Sequence, residues 1–447
     1  MSLQGCSSQK WNFQSSLARV FEDRSSINFR ADLALPFSSH DTPRCRQPCH
    51  TFPEQFGSRL VFATPEDSVT AIVQRAHVSA TKQAFAVWCT GGGNRVVSWG
   101  DPRFGGDTTA VQRQLRYVHR VVATDRAFAA LLGDGRVVTW GDPNFGGNSM
   151  FVQDQLRRSQ EIVSTDAAFA ALLTDGTVRA WGAAPNGGDV PVDVQERLRH
   201  VRRIYATNAA FAALLHDGSV VTWGNHHAGG DSSEVQEKLR PVLDIHAAET
   251  AFAAILTDGR VVTWGDPING GDSSRVQEQL KDVQEIHSTG AAFAAILSDK
   301  TVVTWGDQNY GGDSSEVQEE LQHVQEIVST DAAFAALLTS GAVVTWGGRN
   351  GGADSSEVQH RLRRVRTIRA TSSAFAAILE NGEVVTWGNL FTGSDSSEVE
   401  DQLRHVQEIH AADAAFAAIL SDGRIVTWGD PNYGGDNKGV QNELKYL

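Results

Sequence analysis

An all-β fold, a β-propeller of about nine short three-stranded blades with a short helix on one rim of each, is what this sequence predicts. Three observations carry the prediction. A Trp-Gly pair recurs nine times, at Trp99, Trp140, Trp181, Trp223, Trp264, Trp305, Trp346, Trp387 and Trp428, in steps of 41 residues with one step, from Trp181 to Trp223, of 42. A phenylalanine keeps the same beat, from Phe85 through Phe293 to Phe416. Most copies also place Asp-Gly or a close variant between two strand-like runs, as at Asp134-Gly135 and Asp422-Gly423. So regular a period means one supersecondary unit copied many times, in which no copy buries its apolar face alone.

The copy from Val283 to Val324 shows the unit. Ile286-His287-Ser288-Thr289 is a short β-prone run. The run Ala291-Ala292-Phe293-Ala294-Ala295-Ile296-Leu297 is apolar at odd and even positions alike, which predicts a strand buried on both faces. Its alanines let neighbouring sheets approach around Phe293. Asp-Gly then predicts a hairpin, because glycine takes a positive φ at low cost; Asp299-Lys300 departs from this and should turn less well. Val302-Val303-Thr304-Trp305-Gly306 is the return strand. A loop, Asp307 to Gly312, leads to Asp313-Ser314-Ser315-Glu316-Val317-Gln318. There an Asp or Ser N-cap and a Ser315/Gln318 capping box predict a helix, with Val317, Leu321 and Val324 at helical spacing. About two turns is too short to stand alone, so the helix must pack on the sheet.

Consecutive small sheets of this kind predict a propeller over residues 78–447, with an open superhelical stack as the rival. Regularity up to the last copy favours a closed ring, which removes exposed terminal faces. A helix at Asn437 to Leu447 is placed to complete the first blade, although Pro65 to Arg75 also offers one. Residues 1–77 are non-repetitive and read as partly disordered or as a degraded blade.

The motifs resemble the regulator of chromosome condensation repeat. That family has spaced Val and Leu, Val-x-x-Ile-Ala-Ala-Gly, an Ala-Leu strand, Asp-Gly-x-Val, and Trp-Gly. Here Val283, Ile286, Ala294 to Leu297 and Thr301 to Gly306 correspond, followed by Asn309-Tyr310-Gly311-Gly312; Asp422 to Gly429 and Asn432-Tyr433-Gly434-Gly435 correspond in the last copy. Where the family often carries Gly-x-x-His, this chain has Thr330-Asp331-Ala332-Ala333-Phe334, and the family usually has seven blades of a longer unit. The short unit looks more like the compact propeller of a β-lactamase inhibitor protein in that superfamily. The resemblance implies a binding platform: family members serve as exchange factors for a small GTPase, as substrate-binding parts of ubiquitin ligases, and as a plant ultraviolet receptor. Fold alone does not choose among these.

The remaining signals narrow the chemistry. A net charge of −14 over 447 residues argues against a general nucleic-acid surface. Four cysteines, Cys6, Cys45, Cys49 and Cys89, do not follow the repeat, so no disulfide framework is expected. The first ten residues lack the apolar core of a secretion signal, and no stretch of 18 apolar residues predicts a membrane span. These traits suit a cytoplasmic or nuclear protein. Asp107, Asp189, Asp231, Asp272, Asp313 and Asp436 invite a calcium reading, but one or two oxygens per loop suit N-caps better. His246, His287 and His410 give way to Tyr205, Val328 and Arg369 in other copies, which indicates a rim position rather than a catalytic ring. Cys45-Arg46-Gln47-Pro48-Cys49-His50 lacks a second ligand pair for zinc, and the adjacent His226 and His227 lack a third ligand. No nucleophile elbow, zinc helix or phosphate loop appears. No catalytic residue, metal or cofactor is therefore assigned.

Residues after Trp-Gly vary most between copies while the strands barely change, and loops free to differ on one rim can carry recognition. The candidate partner-binding residues there are Arg103, Phe104, Phe145, His226, His227, Tyr310, Arg349, Phe391 and Tyr433, mostly aromatic or arginine, the types enriched at hot spots. Arg361, Arg363, Arg364 and Arg366, beside His360 and Arg369, form an unusual basic run in an acidic chain; it suits a solvated face or a dock for an acidic partner. Arg197, Arg199, Arg202 and Arg203 make a smaller run. The expected function is a non-enzymatic protein-binding scaffold. The alternative is an adaptor or substrate-recognition part of a ubiquitin ligase, or a guanine-nucleotide exchange factor for a small GTPase.

Overall fold

In the sixth copy, Val283–Ser288, Ala292–Leu297 and Val302–Gly306 are the three strands of one antiparallel sheet, in chain order. The computed structural model describes residues 58–60, 74–90, 96–433 and 435–436. It repeats this sheet nine times as the blades of a β-propeller, at 74–100, 118–141, 159–182, 201–224, 242–265, 283–306, 324–347, 365–388 and 406–429. The first blade gains a fourth strand, Ser58–Leu60, paired with Gln74–Ala80. Blade structure thus begins before the repeat is legible. The expectations for the zinc-like cysteine pair, for Cys6 and for a helix over 437–447 lie outside the described residues, as do residues 65–73 of the helix expected over 65–75, whose last two residues, Gln74 and Arg75, belong to a strand.

The middle strand is buried on both faces, as its uninterrupted apolar run requires. Its two faces differ in size. Ala292, Ala294 and Ile296 look toward the seventh blade and pack on Phe334, Ala336, Val344 and Trp346. Phe293, Ala295, Val303 and Trp305 look toward the fifth and pack on Ala251, Ala253 and Ile255. Phe293 lies opposite Trp305 in the register, and their rings stack at 5.3 Å. A small face therefore mates with a large one at every step, and each fully buried phenylalanine contributes roughly 2–3 kcal/mol by leaving water. Eight such cores join the nine blades in sequence.

Successive blades are also bonded through their backbones. In the turn between first and second strands, Lys82 N–H donates to the Asp125 carbonyl, Asp125 to Asp166, and so on through Asn208, Glu249, Gly290, Asp331 and Ser372 to Asp413, at 2.8–2.9 Å. First strands of adjacent blades lie against each other, which sets them at the inner edge. The expected closure into a ring is not found among the described residues: no apolar core and no backbone bond of this row joins the ninth blade to the first.

The helix expected in each copy is corrected. Among the described residues only Val192–Arg197 is α-helical, and Glu400–Gln402 makes a single 3-10 turn. Elsewhere the segment is a run of turns: Val317 N–H bonds the Ser314 carbonyl and Glu320 N–H that of Val317. Two turns cannot repay helix nucleation, and the side chains find better uses. Asp313 accepts from Ser315 N–H. Ser314, not Ser315, donates to Gln318, whose amide donates to the Val302 carbonyl of the return strand. The copy with one extra residue is the one that completes a helix. The apolar spacing nonetheless reports burial correctly, since Leu321 is fully buried. At the irregular hairpin, Lys300 is held at φ 69° where the glycines of other copies stand at 78–83°.

Candidate functional site

The loops after Trp-Gly share one skeleton. In the sixth copy Asp307 accepts a hydrogen bond from Asn309 N–H at 2.8 Å, and Gln308–Tyr310 forms a 3-10 turn that Gly311 ends at φ 95°. A Cβ on Gly311 would stand 2.6 Å from Phe334 Cδ2 in the next blade, so only glycine fits. The Gly311 carbonyl accepts the indole N–H of Trp346 at 3.1 Å, and Thr289 Oγ1 donates to the Tyr310 carbonyl at 2.9 Å. The backbone is thus fixed by the next blade's core while the side chains between cap and glycine are free to change. Asp101, Asp142, Asn225, Asp266 and Asn389 cap their loops in the same way.

Every loop leaves the end of a third strand that pairs with the start of a middle strand, the edge that also carries the turn-to-turn backbone row. The loops therefore share one rim, and neighbouring loops touch. The Arg126 guanidinium lies over the rings of both Phe104 and Phe145, at 4.8 and 4.9 Å. Arg126 was not singled out from the sequence. Its signal is that it is the only charged residue at its place, where other copies have Gln83, Ala167, Ala209, Thr250, Ala291, Ala332, Ser373 and Ala414.

The predicted residues divide by exposure. Arg103, His226, His227, Arg349 and Phe391 are exposed, Phe391 by 83%. Ile268 and Leu390, in the same loops, are exposed by 69% and 68%. Phe104 is buried, and Phe145, Tyr310 and Tyr433 are half-buried, because the third loop position turns back onto its blade. Arg103 pairs with Asp101 at 2.7 Å, and that hydrogen bond holds the Asp101 carboxyl below its ordinary range. The His226 and His227 rings stand 3.8 Å apart.

Arg361, Arg363 and Arg364 do not join this rim. Val365 pairs with Leu379 at the hairpin end of its blade, so these arginines lie on the opposite rim, with Arg366 close by on the first strand. Most are engaged within the fold: Arg364 pairs with Glu380 at 2.7 Å, Arg361 with Glu400 at 3.2 Å, and Arg366 donates to the Gln407 carbonyl at 2.6 Å. The two sets cannot form one site.

The histidines are corrected as well. They lie on first strands at the inner edge, not on a rim, each near the carboxylate two residues before it: His287 stands 3.5 Å from Glu285 and His410 3.4 Å from Glu408. Tyr205 donates from its hydroxyl to Asp244 of the next blade. Burial pushes the Glu161 carboxyl up, opposed by Arg120 and Arg203. At the mouth of this edge Asp413 is pushed up to about 7 by burial and, secondarily, by the charge of Asp331. Asp107, Asp231, Asp272 and Asp313 accept from backbone N–H groups two residues on, which is capping. Among the described residues no three His, Cys, Asp or Glu side chains converge to hold a metal, and no helix is long and apolar enough to cross a membrane.

The blades are consistent with the repeat propeller that the motifs resemble. The chain is similar to yeast RCC1 (Prp20), solved bound to Kap60, at 17% identity over 57% of this chain and 73% of that one, with a TM-score of 0.34. It is similar to the CRINKLY WD40 ectodomain of the Arabidopsis thaliana receptor kinase ACR4 at 15% identity, over 59% and 93%, with a TM-score of 0.33. The designed protein Ika8 is 12% identical over 70% and 95%, with a TM-score of 0.31. No protein-family model matches the chain, and no curated protein matches it.

Proposed function

We propose that this chain is a non-enzymatic protein-binding scaffold whose contact surface is the rim of loops after Trp-Gly. One observation carries the reading: a loop skeleton held by the neighbouring core presents different exposed side chains in each copy, among them Arg103, His226, His227, Ile268, Arg349, Leu390 and Phe391. Rigid loops hold their side chains in place before binding, so less entropy is lost on docking. Large exposed apolar side chains next to arginine suit a protein partner better than nucleic acid, the more so in a chain of net charge −14.

The test is a combined Ile268→Ser, Leu390→Ser, Phe391→Ser variant against wild type. Affinity for partners captured by the wild-type chain should fall at least tenfold while the thermal melt stays unchanged. Unchanged affinity in a folded variant ends the proposal. The finer alternatives, ubiquitin-ligase recognition or nucleotide exchange on a small GTPase, would use the same rim. Capture of ubiquitin machinery would select the first, and accelerated release of labelled GDP from a captured GTPase the second.

A further inference from the structure

The two ends of the array are complementary. In every interior blade the small face of the middle strand is covered: Ala294 and Ile296, like Ala253 and Ile255 before them, are buried against the next Phe-Trp face. In the ninth blade the same positions, Ala417 and Ile419, are only half-buried. The first blade shows the converse. Val87 and Val97 are half-buried, whereas Ala295 and Val303, their counterparts on the large face, are buried against the preceding blade. Two further features mark the ends. A Cβ on Gly341 or Gly382 would meet Arg364 or His405 of the next copy at 2.8 Å, but at Gly423 it meets nothing within 4 Å among the described residues. The backbone row also stops: among the described residues the Asp413 N–H has no acceptor in it, and the Lys82 carbonyl has no donor.

We propose that the ninth blade's outward face binds the first blade of a second copy of this chain, head to tail. The junction would continue the interface used eight times inside the molecule. Ala417 and Ile419 would meet Val87 and Val97, and Asp413 N–H would donate to the partner's Lys82. The contact is heterologous, a tail on a head, so each added copy leaves one fresh end of each kind.

Sedimentation velocity of the full chain over a dilution series tests this, with Val87→Arg and Ile419→Arg blocking one end each. Wild type should grow past two copies as concentration rises, and each variant alone should remain monomeric. An equimolar mixture of the two should form dimers and stop there, since it holds one intact head and one intact tail. Circular dichroism of each variant verifies folding, and Ala417→Glu replaces Ile419→Arg if the latter unfolds. A wild-type chain that stays monomeric at every concentration, as a ring closed on itself would, overturns the proposal. So does a mixture that fails to dimerise while wild type assembles.

Discussion

Trp346 donates its indole N–H to the carbonyl of Gly311, a residue of the preceding copy, at 3.1 Å. The bond recurs at seven other junctions, from Trp140 to Gly105 through Trp428 to Gly393. It ties the core of one blade to the loop of the one before it, so loop geometry and blade packing are set by the same residue. Replacing Trp346 by Phe keeps most of the apolar area but leaves that buried carbonyl without its donor. The expected loss is about 1–3 kcal/mol in denaturant titration.

Gly311→Ala tests the same junction from the other side. A methyl group there is pressed to within 2.6 Å of the Phe334 ring, at a backbone φ of 95°. Strain and overpacking together should cost about 3 kcal/mol, read from the denaturation midpoint. A loss below about half of that would mean that Phe334 yields easily.

Lys300→Gly should stabilise. Lysine at φ 69° carries roughly 1–2 kcal/mol of strain that glycine lacks. Glycine returns roughly 0.5–1 kcal/mol through its greater freedom in the unfolded chain. The balance is a gain of about 0.5–1 kcal/mol, measurable as a higher melting temperature.

Asp413→Asn should act only at higher pH. The folded state raises this carboxyl to about 7, against about 3.9 when unfolded. The protonated form therefore suits the fold, and its support is complete below about pH 4 and lost as pH climbs to about 7. Asparagine mimics the neutral form. Melts should show the variant more stable than wild type at pH 8 and no different at pH 4; an equal shift at both would refute the assignment.

The blade was legible because Phe293 and Trp305 sit a fixed distance apart around a turn signal, which fixes register as well as period. The segment around Val317 and Leu321 was misread because apolar spacing reports which side is buried, not which carbonyl each N–H finds. Gln318 decided that question by bonding the return strand, a contact invisible within its own window. The rim was legible from variation alone. The depth of Phe104 was not, since it turns back into the core shared by the first two blades, beside Phe128 and Trp140. Arg349 and Arg364 are close in sequence but lie on opposite rims, because Arg349 follows the third strand of the seventh blade and Arg364 precedes the first strand of the eighth.

The row of backbone bonds from Lys82 to Asp413 runs in one sense throughout, every N–H aimed at the later blade. In an unbroken circle such a row would have neither beginning nor end. Here its peptide dipoles give it a polarity like that of a helix, electropositive where the Asp413 amide projects and electronegative at the Lys82 carbonyl. The polarity of an α-helix is thus reproduced along a file of turns, with one residue contributed by each copy.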